Sequence, residues 1–315
     1  MKYKKQIIVS FLILTLIALL AGCAAAPPTG ETEAAPPAPP VEAESPPEEE
    51  EAGPPPAEPD PVPEGTVLTI YGDGVDGQTN WTLEELQAME DGYREEVFST
   101  TNNWPSFSHM TGHGISMRYL LEQAGIRDNA ALMIFIAPDG YQAHITKGQI
   151  YETRYAFATH SAEQSGDPVE VEPIIAWALG EDEAVPENLR PMFGQLGPYD
   201  VNTAASVKNL YRIEVSTWDP GSWPKPEASE PAGSTVAAGT PLELTHTSMD
   251  NIKLYYTTDG SDPDYFSEVY NRSSSYFQPE LIVPFTISES VTIKVFAGGL
   301  GKADSETVML SYEVN

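Results

Sequence analysis

A single cysteine, Cys23, serves a chain of 315 residues, and that scarcity limits the fold more than any other feature. No disulfide can staple such a chain, so its stability must come from buried apolar surface. No thiolate remains further along to hold a metal. The folded part therefore has to build ordinary hydrophobic cores, and the sequence shows where they begin. Residues 24–65 carry proline runs and acidic runs, among them Pro46-Pro47-Glu48-Glu49-Glu50-Glu51 and Pro54-Pro55-Pro56, with little apolar beyond Ala and Val. With nothing to bury, this stretch reads as a disordered, self-repelling tether, partly polyproline. At ~3.1 Å per residue its extended limit is ~130 Å.

The surroundings of Cys23 suggest its use. Met1-Lys2-Tyr3-Lys4-Lys5 is cationic, and an apolar run from Ile7 to Leu20 follows it. The run is short for a membrane span and ends at small residues, as a cleaved leader does. Leu20-Ala21-Gly22-Cys23 resembles the bacterial lipobox. The resemblance implies a signal peptide over 1–22, an acylated Cys23, and a membrane-anchored lipoprotein on the outer side of the membrane. The plain alternative is an ordinary cleaved signal, or an anchor helix that ends by chance in Cys. Each buried acyl CH₂ contributes roughly 0.8 kcal/mol to such an anchor.

Net charge excludes one class of partner. The whole chain carries −31, and losing residues 1–22 with their three lysines takes it to about −34. A polyanion of this kind repels nucleic acid and the anionic lipid beneath it, so the expected membrane contact is the lipid anchor alone.

Composition changes at Thr66. Val67-Leu68-Thr69-Ile70-Tyr71 reads as a strand, and Thr82-Leu83-Glu84-Glu85-Leu86 as a capping box that opens a short helix. A strand is expected at 95–101. Ser116 is placed to cap a helix that Gly125 stops, and 132–137 reads as a buried strand turned at Pro138-Asp139-Gly140. The apolar run 173–179 and the alternating 206–215 complete about 150 residues of mixed α+β character, spanning 66–217. Residues 218–232, with Trp218-Asp219-Pro220-Gly221 and Pro224-Lys225-Pro226, read as a linker. From Gly233 to Asn315, short alternating runs between turn clusters predict a small all-β sandwich.

Two further resemblances carry these segments. Tyr255-Tyr256-Thr257-Thr258-Asp259-Gly260-Ser261-Asp262-Pro263, Thr292-Ile293-Lys294-Val295-Phe296-Ala297 and Asp304-Ser305 resemble the C-terminal module of chitobiase and β-hexosaminidase-type glycosidases. The resemblance implies a non-catalytic accessory, with a spacer or packing role ahead of direct sugar binding. Over 66–217, motifs occur in the order of the sulfite-oxidase-type molybdopterin-binding domain. They are Trp81-Thr82-Leu83-Glu84-Glu85-Leu86, Gly114-Ile115-Ser116, Asp139-Gly140-Tyr141, Phe193-Gly194-Gln195 and Val207-Lys208. This resemblance implies the fold and a pterin pocket. The family's molybdenum-binding cysteine would fall near Thr100, where no sulfur is available, and a hydroxyl is a poor substitute for a thiolate. The leader also lacks twin arginines, which implies export before any cofactor is inserted.

Weaker signals count for little. His109 and His113 stand four apart, but Gly112 and Gly114 break helix and no third ligand is apparent, so both read as polar loop histidines. Asp73, Asp76 and Asn80 miss the spacing of a calcium loop. Ser99, Ser106 and Ser108 have no nucleophile elbow around them. The expectation is a surface lipoprotein in a non-redox binding or scaffold role, with no metal and no cofactor. Thr100, His113, Tyr141 and Lys208 are expected to share one pocket for a small anionic or polar ligand. A cell-wall or carbohydrate component is the other expected partner. The alternative is an oxidoreductase holding molybdopterin without a cysteine.

Overall fold

The computed structural model describes residues 57–104, 106–159, 167–180, 188–273 and 278–315. The leader, Cys23 and most of the 24–65 segment lie outside the described residues. Leu68–Tyr71 forms β1, and all four residues are buried, so the strand is covered on both faces. β2 (Thr79–Trp81) and α1 (Leu83–Ala88) follow. The Thr82 capping box closes as its residues predict. Thr82 Oγ1 accepts the Glu85 N–H at 3.2 Å, and the Glu85 carboxylate accepts the Thr82 N–H at 2.8 Å.

β3 (Tyr93–Thr101) and β4 (Phe107–Ser116) make a long hairpin. Ser116 Oγ then accepts the Tyr119 N–H to start α2 (Met117–Gln123), and Gly125, at φ +71°, ends it. The rest of this half is β5 (Leu132–Ile136), β6 (Gln142–Thr146), α3 (Lys147–Tyr151), β7 (Arg154–Ala156), β8 (Val169–Val171), β9 (Ile174–Leu179), β10 (Arg190–Met192) and β11 (Arg212–Ser216).

Two sheets enclose the core, one in the order β2-β1-β11-β5-β6 and one in the order β10-β9-β4-β3. Leu68, Ile70, Phe135 and Ile213 from the first meet Ile115, Ile175 and the α2 residues Met117, Leu120 and Leu121. Each such side chain removed from water stabilises by roughly 1.5–3 kcal/mol. Helix is scarcer than the mixed reading of 66–217 expects, because α1, α2 and α3 have only 6, 7 and 5 residues. The half is mainly β. The stretch holding His109 and His113 is strand, not loop: a Cβ on Gly114 would lie 2.1 Å from the Ile175 carbonyl oxygen. That glycine allows two strands to approach closely at a bulge, and it does not break them.

The second half is all strand apart from one 3₁₀ turn among its described residues. It contains β12 (Glu227–Ala228), β13 (Thr235–Val236), β14 (Thr240–Leu242), β15 (Leu244–Thr245), β16 (Lys253–Thr257), β17 (Glu268–Val269), β18 (Phe285–Ile287), β19 (Val291–Gly298) and β20 (Val308–Val314). A five-stranded sheet, β13-β20-β19-β16-β17, is accompanied by the ribbons β12-β15 and β14-β18. Leu254, Ile293, Val295, Leu310 and Tyr312 fill its core.

Residues 51–315 form one compact unit, so the two halves are joined by contact as well as by chain. The 218–232 segment is tied down rather than loose. Trp223 N–H donates to the Ala303 carbonyl and Ala303 N–H to the Gly221 carbonyl, each at 2.9 Å, and β12 pairs with β15. Gln149, 5% exposed, reaches from α3 into the 299–302 turn of the second half. Beside it Arg154 is fully buried, with Asp200 at 3.4 Å and backbone carbonyls of Gln149 and Gly194 accepting its other protons. Tyr255, Tyr265 and Phe296 pack their rings together next to Tyr199.

Candidate functional site

The hairpin β3–β4, the strand β10 and the segment 193–208 surround a cavity of about 270 Å³. Thr100 enters from β3, opposite Ser108 on β4, and their hydroxyls bond at 2.8 Å. Arg190 enters from β10, where it pairs across the ladder with Ala176. Lys208 enters from a turn whose next residue, Asn209, has φ +56°, a conformation Asn tolerates better than most residues. Buried Val207 and Leu210 anchor the turn on either side, and Leu210 N–H donates to the Leu189 carbonyl at 2.8 Å.

The wall behind these groups is fixed by a buried polar network. Asn202 donates to the carbonyls of Ser99 and Phe193 at 2.9 and 2.7 Å and accepts the Thr101 N–H at 3.0 Å. Ser99 Oγ donates to Gln195 Oε1 at 2.5 Å and accepts the Phe157 N–H at 2.9 Å. Gln195 in turn donates to the Asp200 carbonyl at 2.9 Å. The side chains of Asn202, Ser99 and Gln195 are each bonded to more than one element, which holds the cavity in one shape.

Electrostatically the cavity is the reverse of the chain. Among the described residues no carboxylate lines it, although the chain carries −31. Among the described residues neither Arg190 nor Lys208 forms an ion pair. Arg190 Nε is buried without a hydrogen-bond partner, and burial pushes the guanidinium pKa down. A half-buried cation with an unused donor, a second cation and several hydroxyls form a place where an anion would be desolvated against matching charge.

The four residues expected to share a pocket separate. Thr100 and Lys208 line this cavity together. His113 does not: it sits on β4, where Nε2 meets the Gly180 carbonyl at 2.9 Å and Nδ1 the Tyr93 hydroxyl at 3.3 Å. Tyr141 lines a different cavity, and its hydroxyl donates to the Ala204 carbonyl at 2.9 Å. The reason is the pleat. His113 lies five residues along β4 from Ser108, an odd number, with a bulge directly after it. Tyr141 belongs to the β5–β6 turn, on the far side of the 201–208 segment.

His109 bonds the Phe157 carbonyl at 2.8 Å, and no group of three His, Cys, Asp or Glu side chains among the described residues could hold a metal ion. Asp73 accepts the Thr217 N–H and hydroxyl, Asp76 pairs with Arg127, and Asn80 accepts from Thr69. Arg190 and Asn202 escaped the sequence reading. Arg190 stands three residues before Phe193-Gly194-Gln195, and a basic residue there in so acidic a chain was the available signal.

Residues 231–309 match the model of the family described as chitobiase/beta-hexosaminidase C-terminal domain. No curated protein matches the chain. Among solved structures, the sulfane dehydrogenase SoxCD from Paracoccus pantotrophus is similar at 9% identity with a TM-score of 0.34. The match covers 73% of this chain and 66% of that one.

Proposed function

We propose that this protein is a non-redox binding lipoprotein, held outside the cytoplasm on acylated Cys23, that takes a small oxyanion in the cavity of Thr100, Arg190 and Lys208. One observation carries the reading: among the described residues two cations and no carboxylate line a preformed cavity in a chain of charge −31. A cation on an acidic protein ordinarily finds a carboxylate, and among the described residues neither Lys208 nor Arg190 has one. The anchor rests on Leu20-Ala21-Gly22-Cys23, and the tether over 24–65 would hold the folded part away from the membrane. For residues 66–217 the molybdopterin-type fold is supported by the order of the sequence motifs.

A molybdenum held by the chain does not fit this cavity. At Thr100 and Ser108 it offers hydroxyls bonded to each other, and its sulfur atoms belong to the thioethers of Met110 and Met192. Neither supplies the thiolate that such a metal takes. The cations suit a phosphate or sulfate group with or without a pterin. Titration calorimetry of the full chain with inorganic sulfate and phosphate tests the proposal, alongside metal analysis of protein from its native host. Saturable anion binding is expected. Stoichiometric molybdenum would replace this reading with that of a molybdopterin-dependent oxidoreductase.

A further inference from the structure

A second cavity, of about 440 Å³, opens where the two halves meet. The first half contributes Tyr141 of the β5–β6 turn, Gln142 to His144 at the start of β6 and one side of the 201–208 segment, and the second contributes Asn251 and the turn Leu300–Lys302. Trp218 and Trp223, from the segment between the halves, complete it. We propose that this cleft is a binding site for a short neutral oligosaccharide, separate from the anion cavity.

The lining supplies what a sugar requires. A pyranose has apolar C–H faces and a rim of hydroxyls, so it is recognised by aromatic faces set beside planar amides. Tyr141 is 48% exposed and Trp218 half-buried. Gln142 and Asn251 stand beside them, and their side-chain amides make no hydrogen bond among the described residues. Among the described residues no carboxylate lines the cleft. The one formal cation, Lys302, sits with Nζ 5.3 Å from the centre of the Trp223 ring, so its charge is engaged by that ring. The mixture of aromatic and amide groups argues against a lipid tail, and the chain's charge argues against a polyphosphate.

The site is also built in advance. The Tyr141 hydroxyl is fixed on the Ala204 carbonyl, and Trp223 Nε1 donates to the Gly299 carbonyl at 3.1 Å. Gln149 holds the 299–302 turn by three hydrogen bonds. Rigid aromatic groups lose little entropy on binding, which suits a weak, hydroxyl-rich ligand. The lining draws on both halves, so neither half alone would present the cleft.

The test is calorimetry and tryptophan fluorescence on the full chain with cellohexaose, maltohexaose and chitohexaose, each to about 10 mM. At least one is expected to bind saturably with Kd near or below about 1 mM, equivalent to −4.1 kcal/mol. Trp218→Ala and Gln142→Ala should each weaken that binding by about tenfold, a change of ~1.4 kcal/mol. Gln142 is exposed, so its variant keeps the question answerable if Trp218→Ala fails to fold. The proposal is overturned if none of the three sugars binds the full chain, or if both folded variants bind as tightly as the parent. Sulfate titration of the same samples reads the other cavity, so either assignment can fail while the other stands.

Discussion

The side-chain carbonyl of Gln149 accepts the backbone N–H of Gly301 at 2.9 Å, across 152 residues of chain. The same side chain donates to the carbonyls of Gly299 and Lys302 at 2.8 and 3.0 Å. One buried amide thus satisfies three backbone groups of the opposite half. Gln149→Leu would leave all three without their partner, and each buried unsatisfied group costs about 1–3 kcal/mol. We expect a loss of roughly 2–4 kcal/mol in urea unfolding. The parent should unfold in one cooperative step and the variant in two, because the halves would no longer melt together. An unchanged midpoint would show that the clamp contributes nothing.

At Gly197 the backbones of the two halves approach closely. A Cβ placed there would lie 1.8 Å from the Tyr265 carbonyl oxygen. Backbone cannot rotate aside as a side chain can, so Gly197→Ala should force the halves apart at a cost of about 1–3 kcal/mol. Gly77→Ala is the matched comparison, since nothing lies within 4 Å of its Cβ position. That change should stay within roughly 0.5 kcal/mol. Equal melting temperatures for the two variants would contradict the close approach.

Lys253 is 4% exposed and donates to the Asn271 carbonyl at 2.8 Å. Burial pushes its ammonium down to about 8, although Asp250 and Asp200 pull the other way. The sign follows from proton binding. Between that value and the ordinary 10.5, the unfolded chain binds more protons than the folded one, so stability rises with pH there and is lost as pH falls through about 8. Melting temperature followed from pH 8 to pH 9.5 should therefore climb more steeply in the parent than in Lys253→Met. Parallel curves would mean that Lys253 titrates normally.

For the anion cavity, Lys208→Ala and Arg190→Ala should each weaken sulfate binding by about tenfold, within the range of charge-assisted hydrogen bonds. Raising the salt should weaken the parent more than either variant, because screening acts on the charges that remain. A salt-independent affinity would point to a neutral ligand instead.

At the far end of the chain, Cys23→Ser removes the acyl acceptor. The full-length variant should leave the membrane fraction and partition into the aqueous phase of a detergent separation. A variant that still sediments with membranes would remove the lipid anchor from the proposal.

Local signals in the sequence survived folding well. Thr82 with Glu85, and Ser116 with Gly125, mark helix ends by hydrogen bonds that run only three or four residues, so their chemistry is visible in the string itself. The strands at Leu68–Tyr71 and Leu132–Ile136 were legible because short runs rich in apolar and β-branched residues have few other uses. Phe107–Ser116 was not: its glycines look like breakers until Ile175 is known to press on Gly114. Thr100 and Lys208, expected together through motif order, line one cavity. His113 and Tyr141 lie elsewhere, since which side of a sheet or segment a residue faces depends on a bulge and a crossing that no local pattern records. Arg154 and Asp200, buried together, carry no sign in the sequence that they belong to a junction.

Strand order in the central sheet also decides when this protein can fold. β11 lies between β1 and β5, and Thr69 pairs with Arg212. Without β11 the sheet is two unconnected hairpins, β1 with β2 and β5 with β6. The keystone is thus the last strand of its half to be synthesised. A chain emerging from its N-terminus, whether from a ribosome or through a membrane, cannot close this sheet until Ser216 is free. Long-range pairing of this kind is slow, because a large loop must be ordered before any contact rewards it. Under the proposed export of an unfolded chain, that delay would be useful: the topology itself would keep the chain threadable until it has arrived.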